Sequence, residues 1–422
     1  MHEIKWVSPD ELKINPRNAR THSKKQIRQI ADSIQRFGFT NPVLISDDDE
    51  IIAGHGRVEA AKILGLASVP TLRLSHLNAT ERRAYVLADN KLAMNAGWDQ
   101  EILAIELQTL IDLDFDTSLI GFSLAEVDLT LDAARNADPE AKVGPEDEIP
   151  ALAATAVSRT GDVWSLGRNR LRCGDARNPD DYAKLLQGEA ADLIFTDPPY
   201  NVPIDGHVSG LGKVRHREFA MGVGEMSKPV FTSFLTDSLG PMSRACRDGA
   251  IAYVCMDWRH MGELIAAGDA VFAELKNLCV WNKSNAGMGS LYRSKHELVF
   301  VYKVGKGPHF NAVELGKHGR NRTNVWDYAS VNSLAGSRHE DLALHPTVKP
   351  VALVADAIQD VTRRGELVLD IFLGSGTTLI AAERVGRRCR GIDIDPGYVD
   401  VAVDRWRAMT GKEPKLERGA NP

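Results

Sequence analysis

The stretch GELVLDIFLGSGTTLIAAERVGRRCRGIDIDP, residues 365–396, restricts the fold of this 422-residue chain more than any other segment. Residues 367–371 read as a buried parallel strand, 372–378 as a glycine-rich turn, 379–384 as the start of a helix, and 389–394 as a second strand ending in acidic residues. Strand, glycine turn, helix and strand in that order make a mononucleotide-binding βαβ half-unit, so this part of the chain is α/β with parallel strands.

The turn FLGSGTT has neither the spaced GxGxxG triplet of a dinucleotide site nor the GK[ST] lysine that meets phosphates. A ligand with a ribose and no phosphate fits it better, and S-adenosylmethionine is such a ligand. Gly374 and Gly376 permit close approach, while Asp393 stands where a carboxylate accepts from two ribose hydroxyls.

A second motif, TDPPY at 196–200, follows the apolar run LIF, which places Asp197 at the carboxyl end of a buried strand, where open α/β sheets build their sites. Pro198 and Pro199 stiffen the backbone, and Pro198 offers a carbonyl without an N–H. Asp197 and that carbonyl can each accept one hydrogen of an NH2 group, with Tyr200 as a platform for a base. Such acceptors would orient an exocyclic amine as its lone pair turns toward a methyl donor. Duplex DNA would have to release the base from its stack first.

Six stretches then stand in one order: RLRCGDA (170–176), DLIFTDPPY (192–200), YRSKHELVFVY (292–302), HPTVKP (345–350), DIFLGSGTT (370–378) and GIDIDPGY (391–398). Over residues 160–408 the chain resembles amino-group DNA methyltransferases of the permuted (beta) class, in which the catalytic motif precedes the cofactor motif. The resemblance implies a Rossmann-like methyltransferase fold with a mixed, mostly parallel sheet, duplex DNA as partner and S-adenosylmethionine as cofactor. It implies Asp370, Phe372, Gly374, Ser375, Gly376 and Thr377 at the methionine end, Asp393 at the ribose, and Asp175 with Ala176 near the adenine amine. By the same resemblance Phe195 packs on that ring, and Thr347 and Lys349 close over the methionine carboxylate. DPPY resembles adenine-directed members more than cytosine-directed ones, and the chemistry accepts either amine.

The five cysteines, at 173, 246, 255, 279 and 389, stand in no proline-cysteine turn and at no zinc-ligand spacing. They are expected as buried thiols, which argues against ring-carbon methylation through a thiolate and against a metal. DNA contact is expected from 276–325, which carries nine Lys or Arg against two acids, within an insertion at 276–340. Lys283, Arg293, Lys295, Arg320 and Arg322 are the candidates there, with Lys213, Arg215 and Arg217 in the glycine-rich flap at 201–224. A formal net charge of -6 argues against nonspecific packaging of DNA.

The first third reads as a separate domain at 1–125, followed by an acidic linker at 126–160, the methyltransferase at 161–410 and a flexible tail at 411–422. In HSKKQIRQIADSIQRFG, Ile27, Ile30, Ile34 and Phe37 form a helical core stripe. A strand and the turn GHGR follow, where backbone amides at Gly54 and the charge of Arg57 suit a phosphate. Residues 4–77 resemble the amino-terminal domain of ParB chromosome-partitioning proteins, a small α+β fold. That resemblance implies a DNA-associated or nucleotide-dependent role, with CTP or another nucleotide as ligand. The chain departs from the family's GERR, with His55 in place of the acid and Gly56 in place of the first arginine. No secure helix-turn-helix signature stands out. The sequence is read as a soluble cytoplasmic protein without a membrane span, able to form a homodimer. The alternative is a nucleotide-regulated DNA-binding module with an inactive methyltransferase half.

Overall fold

The computed structural model describes residues 3–135, 148–153, 155–202, 224–284, 286, 291–313, 320–329 and 348–418. The chain divides into two compact units, Met1–Ala137 and Asp138–Pro422.

The first unit runs β1 (Ile4–Val7), α1 (Lys24–Phe37), β2 (Val43–Ile45), β3 (Ile51–Ala53), α2 (His55–Ile63), β4 (Val69–Arg73), α3 (Ala79–Asn95), α4 (Gln100–Asp112), a 3-10 turn (Thr117–Ile120) and α5 (Leu124–Arg135). Its four strands stand in the order β1-β4-β2-β3. Val43, Ile45, Ile51 and Val69 of the sheet bury against Val58 and Ala61 of α2. The α1 stripe is shallower than its periodicity predicts: Ala31 is its buried residue, and Phe37 is 48% exposed and stacks on Phe115. Helices α4 and α5 pair through Leu103, Leu107, Val127 and Leu131. Residues 126–135, expected as linker, therefore belong to a helix. Its start is fixed by Ser123 and Glu126, each accepting the other's backbone N–H at 3.2 and 2.8 Å.

The second unit runs β5 (Val163–Leu166), β6 (Asn169–Cys173), α6 (Pro179–Leu186), β7 (Ala191–Thr196), α7 (Lys228–Arg244), β8 (Cys246–Met256), α8 (Met261–Val271), β9 (Glu274–Lys283), β10 (His296–Lys303), β11 (Val325–Tyr328), α9 (Val351–Val361), β12 (Leu367–Asp370), α10 (Thr377–Arg384), β13 (Arg388–Asp393), α11 (Pro396–Thr410) and β14 (Lys415–Glu417). Ten strands form one sheet in the order β11-β9-β10-β8-β7-β12-β13-β6-β5-β14. The central five, β8-β7-β12-β13-β6, are all parallel. Helices cover both faces, so β7, β12 and the second half of β8 read as continuous apolar runs rather than alternating ones. Leu193, Phe195 and Val368 face one core and Ile194, Leu367 and Leu369 the other.

Two expected boundaries change. The segment 276–340 is not an insertion throughout, because β9 and β10 continue the sheet as an antiparallel pair and β11 adds to its edge. Within 411–422, residues 415–417 form an edge strand on β5 rather than a free tail. No described helix is long and apolar enough to cross a membrane.

Candidate active site

From β7 the chain passes through α7 to β8 on one side, and from β12 through α10 to β13 on the other. The order of connection therefore reverses between β7 and β12, and the crevice beyond their carboxyl ends is the topological switch point. Asp197 follows β7 and Asp370 ends β12. Thr196 Oγ1 donates to Asp370 Oδ1 at 2.9 Å and Thr378 Oγ1 to Oδ2 at 2.7 Å, while the Phe372 N–H donates to Oδ1 at 3.1 Å. Asp370, expected at the cofactor, thus pins the two strand ends and the glycine turn together. Its carboxyl is pushed up to about 7 by burial, against those hydrogen bonds.

Asp197 sits in a cluster of charges. Lys349 Nζ lies 2.5 Å from Asp197 Oδ2, 2.5 Å from Glu297 Oε1 and 3.2 Å from the Tyr200 hydroxyl. That hydroxyl lies 2.5 Å from Asp197 Oδ1 and 2.6 Å from Glu297 Oε1, with one proton to give to either. Lys283 Nζ donates to Glu297 Oε2 at 2.7 Å. Burial raises the Asp197 carboxyl, Lys349 opposes that rise and the Glu297 charge adds to it. For Glu297, Lys349 and Lys283 overcome the upward push of burial and bring the carboxyl to about 2. Burial would lower Lys349, but Asp197 and Glu297 hold it above its usual range.

Cys255, Asp197 and Glu297 bring possible metal-ligand atoms within 4.8 Å of one another. The Lys349 ammonium already supplies the counter-cation between the two carboxylates. Four of the five cysteines are buried and all are free thiols. Burial pushes Cys255 well above the usual thiol range, which leaves it a poor nucleophile.

On the cofactor side, Gly374 has φ +54° and a side chain there would meet nothing within 4 Å, so its backbone borders open space. Its N–H donates to Asp393 Oδ2 at 2.7 Å, and the Asp395 N–H to Oδ1 at 2.9 Å. Gly376, φ +89°, serves packing instead, since a Cβ would lie 2.7 Å from Ala402 Cβ on α11. Ser375 and Thr377 are tied inward by Arg405, whose Nη1 donates to the Ser375 carbonyl at 2.8 Å. Phe372 is half-buried against Phe234. A ligand of mixed polarity with a ribose fits this open glycine, acidic strand end and half-exposed ring.

Asp175 chelates its neighbour Arg177, which holds its carboxyl below the usual range against burial. Both line a cavity of about 750 Å³ with Asn178, Thr236 and Asp237. Ala176 is buried and its carbonyl accepts from Tyr182. Phe195 is corrected: it is 1% exposed and packs on Tyr253, leaving no face for an adenine. Lys349, expected at the methionine carboxylate, has its ammonium between Asp197 and Glu297. Thr347, Lys213, Arg215 and Arg217 lie outside the described residues.

Among the expected DNA contacts, Arg320 and Arg322 are turned inward. Arg320 Nε is 3.0 Å from Asp360 and its Nη2 2.5 Å from Asp356, and Arg322 reaches the same two acids at 3.4 and 3.3 Å. Lys283 is committed to Glu297, whereas Arg293 and Lys295 are exposed beside the exposed Leu291 and Tyr292. In the first unit, Gly54 (φ +105°) launches α2 from β3. Arg57 folds back over it to donate to the Pro42 carbonyl at 3.2 Å. A separate cavity of about 560 Å³ is lined by Asn18, Arg20, His22, Lys24, His55 and Glu59, among others. Sequence reasoning passed over Glu297, although it stands in the quoted stretch YRSKHELVFVY.

Fold and site define a class: a Rossmann-like S-adenosylmethionine-dependent methyltransferase preceded by a small ParB-like domain. Residues 191–404, half of the chain, match the N6/N4 methyltransferase family model described as DNA methylase. Residues 1–91 match the ParB N-terminal domain. The chain therefore belongs to the DNA methylase family and carries a ParB-type amino-terminal domain. Residues 101–160 match the ParB-methyltransferase HTH domain, in a stretch whose sequence showed no secure helix-turn-helix signature.

Three similar proteins illustrate the two halves. The ParB-like nuclease domain-containing protein YnaK of Escherichia coli (strain K12) is 52% identical over 73 residues, 17% of this chain and 84% of that protein. The type II methyltransferase M.HpaI of Haemophilus parainfluenzae is 26% identical over 250 residues, 56% of this chain and 73% of that protein. The crystal structure of the cytosine-N4-specific PvuII DNA methyltransferase is 18% identical with a TM-score of 0.42, covering 57% of this chain and 87% of that one.

Proposed function

We propose that the protein, read as a permuted-class enzyme, methylates the exocyclic amine of a base flipped out of duplex DNA, with adenine N6 as the target. The observation that carries this reading is the placement of Asp197, Pro198 and Tyr200 at the switch point beside an open glycine turn. S-adenosylmethionine, when bound, supplies a methyl group activated on a sulfonium. Asp197 and the Pro198 carbonyl accept the two amine hydrogens and aim the nitrogen lone pair. The Tyr200 ring, tethered at its hydroxyl, offers a fixed plane to the extruded base. As the new N–C bond formed, the donor's S–CH3 bond would break to leave a neutral thioether, and the surplus amine proton would pass to Asp197. Gly374 and Asp393 would hold the cofactor's methionine and ribose portions.

The choice of adenine rests on the tetrad DPPY. The matched family spans both amines, and the PvuII enzyme named above acts on cytosine N4. Incubation of the full chain with unmodified duplex DNA and methyl-labelled S-adenosylmethionine, followed by nucleoside mass spectrometry, separates the readings. Labelled 6-methyladenine is expected. Labelled 4-methylcytosine would move the target to cytosine, and no labelled base despite cofactor binding would favour the DNA-binding alternative.

For the first unit, the cavity lined by Arg20, Lys24, two histidines and Glu59 sets two fixed cations against one acid, and CTP is the ligand to test. Calorimetric titration with CTP should show saturable binding that Arg20→Ala weakens. Equal binding by that variant would remove the cavity from the argument.

A further inference from the structure

We propose that Lys349 and Glu297 are positioning residues for Asp197: Lys349 keeps its carboxylate charged against the neighbouring Glu297, Glu297 anchors that ammonium, and together they aim Asp197 at the crevice, so that Lys349 serves the amine rather than the cofactor carboxylate. The inference rests on the methyltransferase reading. Proton counting carries it. A lysine ammonium has three N–H donors, and Lys349, with a side chain 5% exposed, has three acceptors within reach in Asp197 Oδ2, Glu297 Oε1 and the Tyr200 hydroxyl. No donor remains for a methionine carboxylate.

The positions of the partners give each a task. Pro350 caps the start of α9, and Lys349 just before it meets the end of β7 and the start of β10 at one point. Glu297 spends Oε1 on Lys349 and Oε2 on Lys283, so two carboxylates and two ammoniums balance. Asp197, its side chain 26% exposed, is the member of the bracket with lone pairs left toward the crevice. Two carboxylates this close do not both stay ionised without a cation between them. A protonated Asp197 would present a donor to an amine that is itself a donor. Among the described residues, the groups facing Asp197 are Lys349, Glu297, Tyr200, Cys255 and Asp370, with Lys283 acting through Glu297.

Removing the cation and removing the second anion should therefore move the acid limb of the rate profile in opposite directions. Single-turnover methyl transfer by the full chain, at saturating DNA and S-adenosylmethionine between pH 5 and 9, reads this directly, alongside cofactor Kd. Lys349→Met should lose ~100-fold or more near neutral pH, recover as pH rises with its limb displaced upward by about one unit or more, and keep cofactor Kd within ~3-fold. Glu297→Gln should displace the limb downward. A Lys349→Met enzyme with an unshifted profile and a cofactor Kd weakened ~10-fold or more would overturn the bracket and make Lys349 a cofactor ligand. If Lys349→Met does not fold, Glu297→Gln decides alone, and an upward or absent shift overturns the proposal. Failure of the wild-type chain to transfer any methyl group would count against the methyltransferase reading itself. The bracket is then judged by side-chain NMR of 15N-lysine protein: Lys349 ammonium protons should exchange slowly at neutral pH and lose that protection in Glu297→Gln. Fast exchange in the wild type would overturn it.

Discussion

Two clusters of this molecule use the same ingredients, two carboxylates, two cations and a tyrosine hydroxyl, for different ends. One joins Asp197 and Glu297 with Lys349, Lys283 and Tyr200. The other joins Asp356 and Asp360 with Arg320, Arg322 and Tyr328. Exposure does not separate them, for Asp197 is 26% and Asp356 31% exposed. The cations and the addresses do. Arginine forks grip both acids of α9 at once, and Arg322 is further stacked 4.9 Å from the Trp326 ring. Lysines are point charges on flexible stems, whose partners keep unused lone pairs. The arginine cluster ties a loop to a helix, whereas the lysine cluster stands at the switch point of the sheet. A buried four-charge network is thus a site only when its geometry leaves an acceptor unspent.

The largest test of that contrast is Asp197→Ala, which should lower single-turnover methyl transfer by ~1,000-fold or more, about 4 kcal/mol of barrier, with the fold and cofactor binding retained. Asp360→Ala should do the reverse. It removes one of the two acids that hold Arg320 and Arg322 and leaves them only the more exposed Asp356, and urea unfolding should report a loss of about 3–5 kcal/mol while transfer per folded molecule stays within ~3-fold. Loss of turnover without loss of stability in Asp360→Ala would erase the distinction between the clusters.

The same contrast shows what a single chain discloses. The strand, glycine turn and strand at 365–396 and the acid after β7 were legible because each is local, with its own periodicity and turn chemistry. Helix α5 was also local, and the SLAE capping box at 123–126 announces it. The acidity of the residues after it drew that helix into an apparent linker. Glu297 was hidden for a different reason: nothing within β10 shows that Tyr200, 97 positions earlier, places its hydroxyl there. Arg320 and Arg322 read as a basic stripe because Asp356 and Asp360, which neutralise them, lie 36 and 40 positions beyond Arg320. Charge runs along a chain say little about which charges reach solvent.

The glycine turn supplies a smaller test on the cofactor side. Gly376→Ala puts a methyl group 2.7 Å from Ala402 Cβ at φ +89° and should cost about 2–3 kcal/mol of stability. Gly374→Ala, with φ +54° and open space, should cost only about 1 kcal/mol yet weaken S-adenosylmethionine binding ~10-fold. If Gly376→Ala alone weakened the cofactor at unchanged stability, the two roles would be exchanged.

Stability against pH sets Asp360, Asp370 and Asp393 apart from Glu297, which is buried like them. Burial lifts Asp370 to about 7 and Asp393 and Asp360 to about 6, from an ordinary 3.8. Between those values the folded chain binds more protons than the unfolded one, so stability should rise as pH falls from about 7 toward about 4. Glu297, held at about 2, has the opposite sign: its contribution is present above its ordinary 4.5 and lost as pH falls below that. Melting temperature should therefore climb by a few degrees, roughly, from pH 8 to 5 and fall again under more acid conditions. In Glu297→Gln the acid-side fall should be shallower, and an unchanged fall would deny that group its role.

The smallest expected effect decides which cations meet DNA. Lys295 is exposed next to the β9–β10 hairpin, whereas Arg322 is held among Asp356, Asp360 and Trp326. Each phosphate contact releases counterions and adds about 0.9 to the slope of log affinity against log salt on duplex DNA. Lys295→Ala should therefore reduce that slope by about 1 and weaken binding several-fold at low salt, with stability unchanged. Arg322→Ala should leave the slope intact and lower the unfolding midpoint instead. An inverted result would show that the arginine cluster opens to phosphate when DNA arrives. The carboxylates of α9 would then hold those arginines only until the duplex replaced them.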